Sequence, residues 1–131
     1  ADLERMLAER EASTVVGSYE RPRYGAAEMR IAELYRDRLH DRAHAREALH
    51  KLYKDFTTSP LRDHALWTEA ELWREDGDGD AACDALSTLV RDFPDSRFVP
   101  CATERCPRVQ RPAKSKAPAT CHPYLERRGE P

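Results

Sequence analysis

The chain repeats itself. Set against itself with an offset of 37, Asp41, Ala45, Ala48, Leu49, Leu52 and Phe56 fall on Asp78, Ala82, Ala85, Leu86, Leu89 and Phe93. With an offset of 38, Ala27, Ala32 and Leu34 fall on Ala65, Ala70 and Leu72. One residue is therefore gained or lost in the turn between the two segments of each copy. A period of this size, built from two helical segments and a short turn, defines a helical hairpin that stacks on its neighbours. The alanines fit this arrangement, because small side chains let one helix lie close against the next while Leu, Tyr, Trp and Phe fill the seams.

Apolar spacing by threes and fours gives five helices in and beside the repeats: about 26–39, 42–57, 61–75, 80–92 and a shorter one ending near Arg105. Ser59-Pro60 and Pro94 punctuate them, Asp80 is placed to cap the fourth, and Asp95 or Ser96 the fifth. No alternating run of useful length predicts a strand. Before the repeats, Leu3, Met6 and Leu7 mark a short amphipathic helix over residues 2–13, joined by a connector containing Gly17, Pro22 and Gly25. After them, Pro107, Pro112, Pro118, Pro123 and Pro131 interrupt a segment too poor in apolar side chains to fold alone. The expected organisation is an N-terminal helix and connector over 1–25, a repeat domain over 26–106 and a basic tail over 107–131. The fold class is all-α, an α-solenoid of antiparallel helical hairpins with an irregular C-terminal tail.

Charge divides the chain in the same place. Residues 1–106 hold 16 Lys/Arg and 22 Asp/Glu, whereas residues 107–131 hold 6 and 2, so the formal net charge of −2 is a cancellation. With a mean hydropathy of −0.83, no stretch is apolar enough to cross a bilayer. The tail's Arg108, Arg111, Lys114, Lys116, Arg127 and Arg128 come with a single aromatic, Tyr124, which gives no stacking platform for specific nucleic-acid reading.

Four cysteines crowd the last third, Cys83, Cys101, Cys106 and Cys121. Three lie in or beside the proline-rich segment, where burial of a small hydrophobe explains little, so two disulfides in an exported protein are expected. The start at Ala1, with no initiator methionine and no apolar leader, fits export with the leader removed, and the absence of an N-terminal cysteine speaks against a lipid anchor there. The pairing follows from the hairpin: if the fourth and fifth helices fold back about residues 94 and 95, Cys83 opposes Cys106, leaving Cys101 for Cys121.

Other chemistry is weak. Asp76-Gly77-Asp78-Gly79-Asp80 resembles the opening of a calcium loop, but Ala81 stands where such a loop needs glycine and Ser87 where it needs a bidentate glutamate. Cys101, Cys106, Cys121 and His122 lack the close C-x2-C pair of a zinc knuckle. Histidines 40, 44, 50, 64 and 122 are read as hydrated surface residues, with no nucleophile or phosphate-cradling loop beside them, so no catalytic residues and no cofactor are assigned.

Gly77-Asp78, then Ala82, Leu86 and Leu89, then Asp92-Phe93-Pro94-Asp95-Ser96, resembles the end of a tetratricopeptide repeat of the kind found in periplasmic and outer-membrane-associated bacterial proteins. The copy with His40-Asp41, Ala45, Leu49, Leu52, Tyr53, Phe56 and Ser59-Pro60 is a looser match, with His40 where glycine is usual. The resemblance implies a non-catalytic scaffold that binds protein partners in the cell envelope. It also implies that the first helix of each hairpin lines the binding surface, which points to Arg30, Glu33, Arg36, Glu69 and Arg74. Two other expectations stay open: a structural subunit whose tail docks on a neighbouring chain or a second copy, and a Cys/His metal-binding protein.

Overall fold

A computed structural model describes residues 21–122, with side chains from residue 25 onward; the helix expected over 2–13 and the tail beyond residue 122 lie outside them. Among the described residues there are five helices and no strand: α1 Arg21–Asp37, α2 Arg42–Asp55, α3 Arg62–Glu75, α4 Gly79–Asp92 and α5 Val99–Arg105. They belong to two compact units whose boundary falls inside α3, between Glu69 and Ala70.

In the first unit α1 packs against α2. The buried stripe of α1 runs through Met29, Ile31, Ala32 and Tyr35, and that of α2 through Ala45, Ala48, Leu49 and Leu52, with Phe56 closing its C-terminal end. The first half of α3 adds Ala65, Leu66 and Trp67. Each fully buried leucine here stabilises the fold by roughly 1.5–3 kcal/mol. In the second unit α4 packs against α5. Its core joins Leu72, Ala82, Leu86, Leu89 and Val90 to Phe98, Val99, Cys101 and Ala102, and takes Val109 and Ala117 from the tail.

The sequence repeat recurs as a repeat of hydrogen bonds. Asp41 and Asp78 are the N-caps of α2 and α4, each accepting from the backbone N–H three residues on, His44 and Ala81, at 3.0 Å. That backbone N–H donation from His44 is the main cause holding the Asp41 carboxyl below its ordinary value. The helices end alike, with Phe56 N–H on the Leu52 carbonyl and Phe93 N–H on the Leu89 carbonyl. The following turns also match: Ser59 Oγ accepts from Leu61 N–H and Ser96 Oγ from Phe98 N–H, both at 3.1 Å.

The change of offset has a location. Asp41 N–H reaches the Tyr35 carbonyl and Asp78 N–H the Trp73 carbonyl, at 2.8 and 2.9 Å, so the same bond closes a loop one residue longer in the first copy. The longer loop pushes Leu39 out to 62% exposure. The residue before each cap is left-handed, Gly77 at φ 81° and His40 at φ 51°. Glycine takes this region freely, whereas histidine pays roughly 1–2 kcal/mol for it.

Several boundaries differ from expectation. α1 starts at Arg21, not Ala26, because Pro22 sits in the first turn, where its missing N–H breaks no helical bond. The cap of α4 is Asp78, not Asp80, since the left-handed turn at Gly77 places it one residue before Gly79. α5 begins only at Val99 with no side-chain cap, because Ser96 bonds Phe98 N–H and Asp95 accepts from the tail. Ala27, aligned with Ala65, is exposed where Ala65 is buried, so the repeat of burial starts at Glu28 and Leu66.

Gly25 is inside α1 for a steric reason. A Cβ there would lie 2.9 Å from the Ser59 Cβ and closer still to its Oγ. Gly25→Ala should therefore destabilise the protein by roughly 1–3 kcal/mol, although alanine is the better helix former. Denaturant titration should show the loss, and Ser59→Gly in the same chain should recover most of it.

Candidate interaction site

The five residues expected to face a partner divide in the structure. On α1, Arg30 is exposed and pairs with Glu33 at 3.7 Å, and Arg36 makes a two-pronged contact with Asp37 at 2.7 and 2.9 Å. The same guanidinium is the main cause holding the Asp37 carboxyl below its ordinary value. Arg74 is exposed near the end of α3, 3.7 Å from Glu71, which also lies 3.4 Å from Arg105. Such exposed pairs contribute at most about 1 kcal/mol each, so they add little to stability.

Glu69 does not belong with them. It is only 8% exposed, and its Oε1 lies 3.2 Å from Nδ1 of His50. The expectation of an exposed partner contact is corrected here: helical phase alone placed Glu69 outward, and its neighbours on α3, Leu66 and Ala70, are buried as well. The histidines are likewise not all plain surface residues. His50 shares this carboxylate and lies against Tyr53, while His44 stacks on Tyr35 with 5.1 Å between ring centroids and bonds Asp41. Arg62 joins the same neighbourhood, with Nε donating to the Tyr53 carbonyl at 2.8 Å and the guanidinium over the Tyr53 ring.

The tail is built onto the second unit. Cys83 is bonded to Cys106 and Cys101 to Cys121, with Cα atoms 5.7 and 4.7 Å apart. Between these ties residues 107–122 form an irregular strap. Arg108 reaches Asp84 at 3.1 Å, and the N–H of Lys116 donates to Asp95 at 2.7 Å. Ser115 Oγ donates to the Pro94 carbonyl. Arg111 turns inward on the strap itself, donating to the carbonyls of Ser115, Ala117 and Pro118, which organises a stretch with no secondary structure of its own.

All four sulfurs are thus in disulfides, and none is present as a thiolate. Two such bonds fit an oxidising, exported location. Among the described residues no helix is long and apolar enough to cross a membrane. Among them, too, no group of three or more His, Cys, Asp or Glu is placed to hold a metal ion, and Asp76, Asp78 and Asp80 are exposed turn residues, Asp78 being a cap. Comparison of the chain with protein families, with curated proteins and with solved structures gives no match.

The strap makes a direct prediction. Cys121→Ser, with Cys101→Ser to avoid a free thiol, should leave helical content unchanged by circular dichroism. It should speed tryptic cleavage after Arg108, Arg111, Lys114 and Lys116, because the remaining polar contacts are exposed and individually weak.

Proposed function

We propose that the chain is a non-catalytic protein-interaction scaffold of tetratricopeptide-like type, working in the periplasm or outside the cell. The observation that carries this reading is a contrast within the molecule. The two copies share caps, turn bonds and buried alanines and leucines, while their exposed residues differ freely. A scaffold that uses its surface for recognition has this division of labour, since the buried half fixes the frame and the exposed half is left to the partner. The oxidised cysteines support an exported setting.

A structural subunit whose tail docks on a neighbour is the second reading. It is the weaker one, because residues 107–122 lie on their own chain through two disulfides and the Asp84 and Asp95 contacts. A metal-binding role is weaker still, as the sulfurs it needs are bonded to one another.

The partner surface on this reading includes Arg30, Glu33, Arg36 and Arg74. Capture of partners from the native source should succeed with the wild-type chain and fall at least about tenfold, near 1.4 kcal/mol, with Arg30→Ala, Arg36→Ala and Arg74→Ala combined. Quantitative mass spectrometry of the captured proteins checks this, and unchanged capture would count against these residues.

A further inference from the structure

The outer surface of α2 carries a feature that the hairpin does not require. Arg42, Arg46, His50 and Lys54 follow one another at four-residue spacing, a single ridge of one charge sign. Arg42, His50 and Lys54 are exposed and Arg46 is half-exposed. The neighbouring row, Glu47, Lys51 and Asp55, alternates in sign and compensates itself.

The second copy shows that the ridge is not structural. α4 has the same N-cap, the same C-cap bond and the same buried set as α2, yet the ridge positions are occupied there by Gly79, Cys83, Ser87 and Arg91. The same outer region of α4 is where this protein holds an irregular, proline-punctuated segment. Cys83 is tied to Cys106, and Arg108 reaches the Asp80 carbonyl and the Asp84 carboxylate. In the second unit an acidic face thus takes a basic extended segment, whereas on α2 the corresponding face is basic.

Spacing narrows the ligand. Successive ridge residues rise about 6 Å along the helix axis. Alternate side chains on one face of an extended peptide repeat every 6.6–6.8 Å or so, a mismatch that long Arg and Lys stems absorb. We propose that the α2 ridge binds an extended acidic segment of a partner protein whose carboxylates fall at alternate positions. The inference rests on the protein-interaction reading above, but uses a surface separate from the α1 and α3 residues named there.

Fluorescence anisotropy tests it, with a labelled peptide alternating Glu and Gly as probe at low ionic strength. Controls are a peptide of the same composition with its glutamates in one block and a single-stranded oligonucleotide of equal charge. The alternating peptide should bind saturably, tighter than the block peptide and the oligonucleotide, and weaken as salt is added. Arg46→Glu with Lys54→Glu should reduce its affinity at least about tenfold, Arg46→Gln with Lys54→Gln by less, and Arg91→Glu on α4 should change nothing. Circular dichroism confirms that each variant is folded. The proposal is overturned by no saturable binding, by equal binding of the block peptide, by tighter binding of the oligonucleotide, or by a folded Glu variant that binds as wild type. If any of these occurs while partner capture still depends on Arg30, Arg36 and Arg74, the ridge fails and the scaffold reading stands.

Discussion

A helix of seven residues does not persist in water by itself, because the cost of starting a helix is not recovered over so few backbone bonds. α5 is that short, and the second unit depends on holding it. Cys101 lies within α5 and Cys106 at its C-cap, and both are almost fully buried. Each is tied to a residue about twenty positions away, Cys101 to Cys121 and Cys106 to Cys83, at separations of 20 and 23. Closing loops of this length removes conformational freedom from the unfolded chain and stabilises the folded one by about 3 kcal/mol each, on the chain-entropy account. In a repeat fold α5 would be followed by a second helix covering its open side. Here the chain supplies a strap of irregular backbone, with Val109 and Ala117 as its buried contributions.

The strap also explains the charge division of the sequence. The tail is basic and the turn and helix it lies on are acidic, with Arg108 on Asp84 and the Lys116 amide on Asp95. Exposed contacts of this kind contribute little individually. Their role is register: they fix where a segment without secondary structure runs, once the sulfurs have fixed that it stays. The basic ridge of α2 lies in the other unit and has no such segment of residues 107–122 on it in this description, which is what makes it a candidate for a partner's chain.

How much of this could be read in the sequence follows from which groups carry each feature. The helices and the doubled register were legible, because buried side chains set them: Ala45 with Ala82, Leu49 with Leu86, Leu52 with Leu89. The cysteine pairs followed from the geometry of folding back about residues 94 and 95. What was not legible was carried by backbone or by steric fit. The Lys116 amide on Asp95 leaves no mark in residue type, since every residue but proline has that donor. Gly25 reads as a connector until Ser59 is seen against it. The exposed side of α3 was misjudged at Glu69, because a carboxylate is rarely buried unless it has a partner, and His50 is nineteen residues away.

The central claim is that the strap and α5 form one cooperative unit held by the disulfides. Native-state amide exchange in the oxidised and reduced protein tests it most directly, using Ala102 and Cys106 in and after α5, Lys116 in the strap, and Ala45 in α2 as reference. Their N–H groups bond, respectively, to Phe98, Ala102, Asp95 and Asp41. Reduction should speed exchange at Ala102, Cys106 and Lys116 together, by about a hundredfold or more for a loss near 3 kcal/mol, and leave Ala45 little changed. Exchange that rises at Lys116 alone, or at none of the three, would contradict the account.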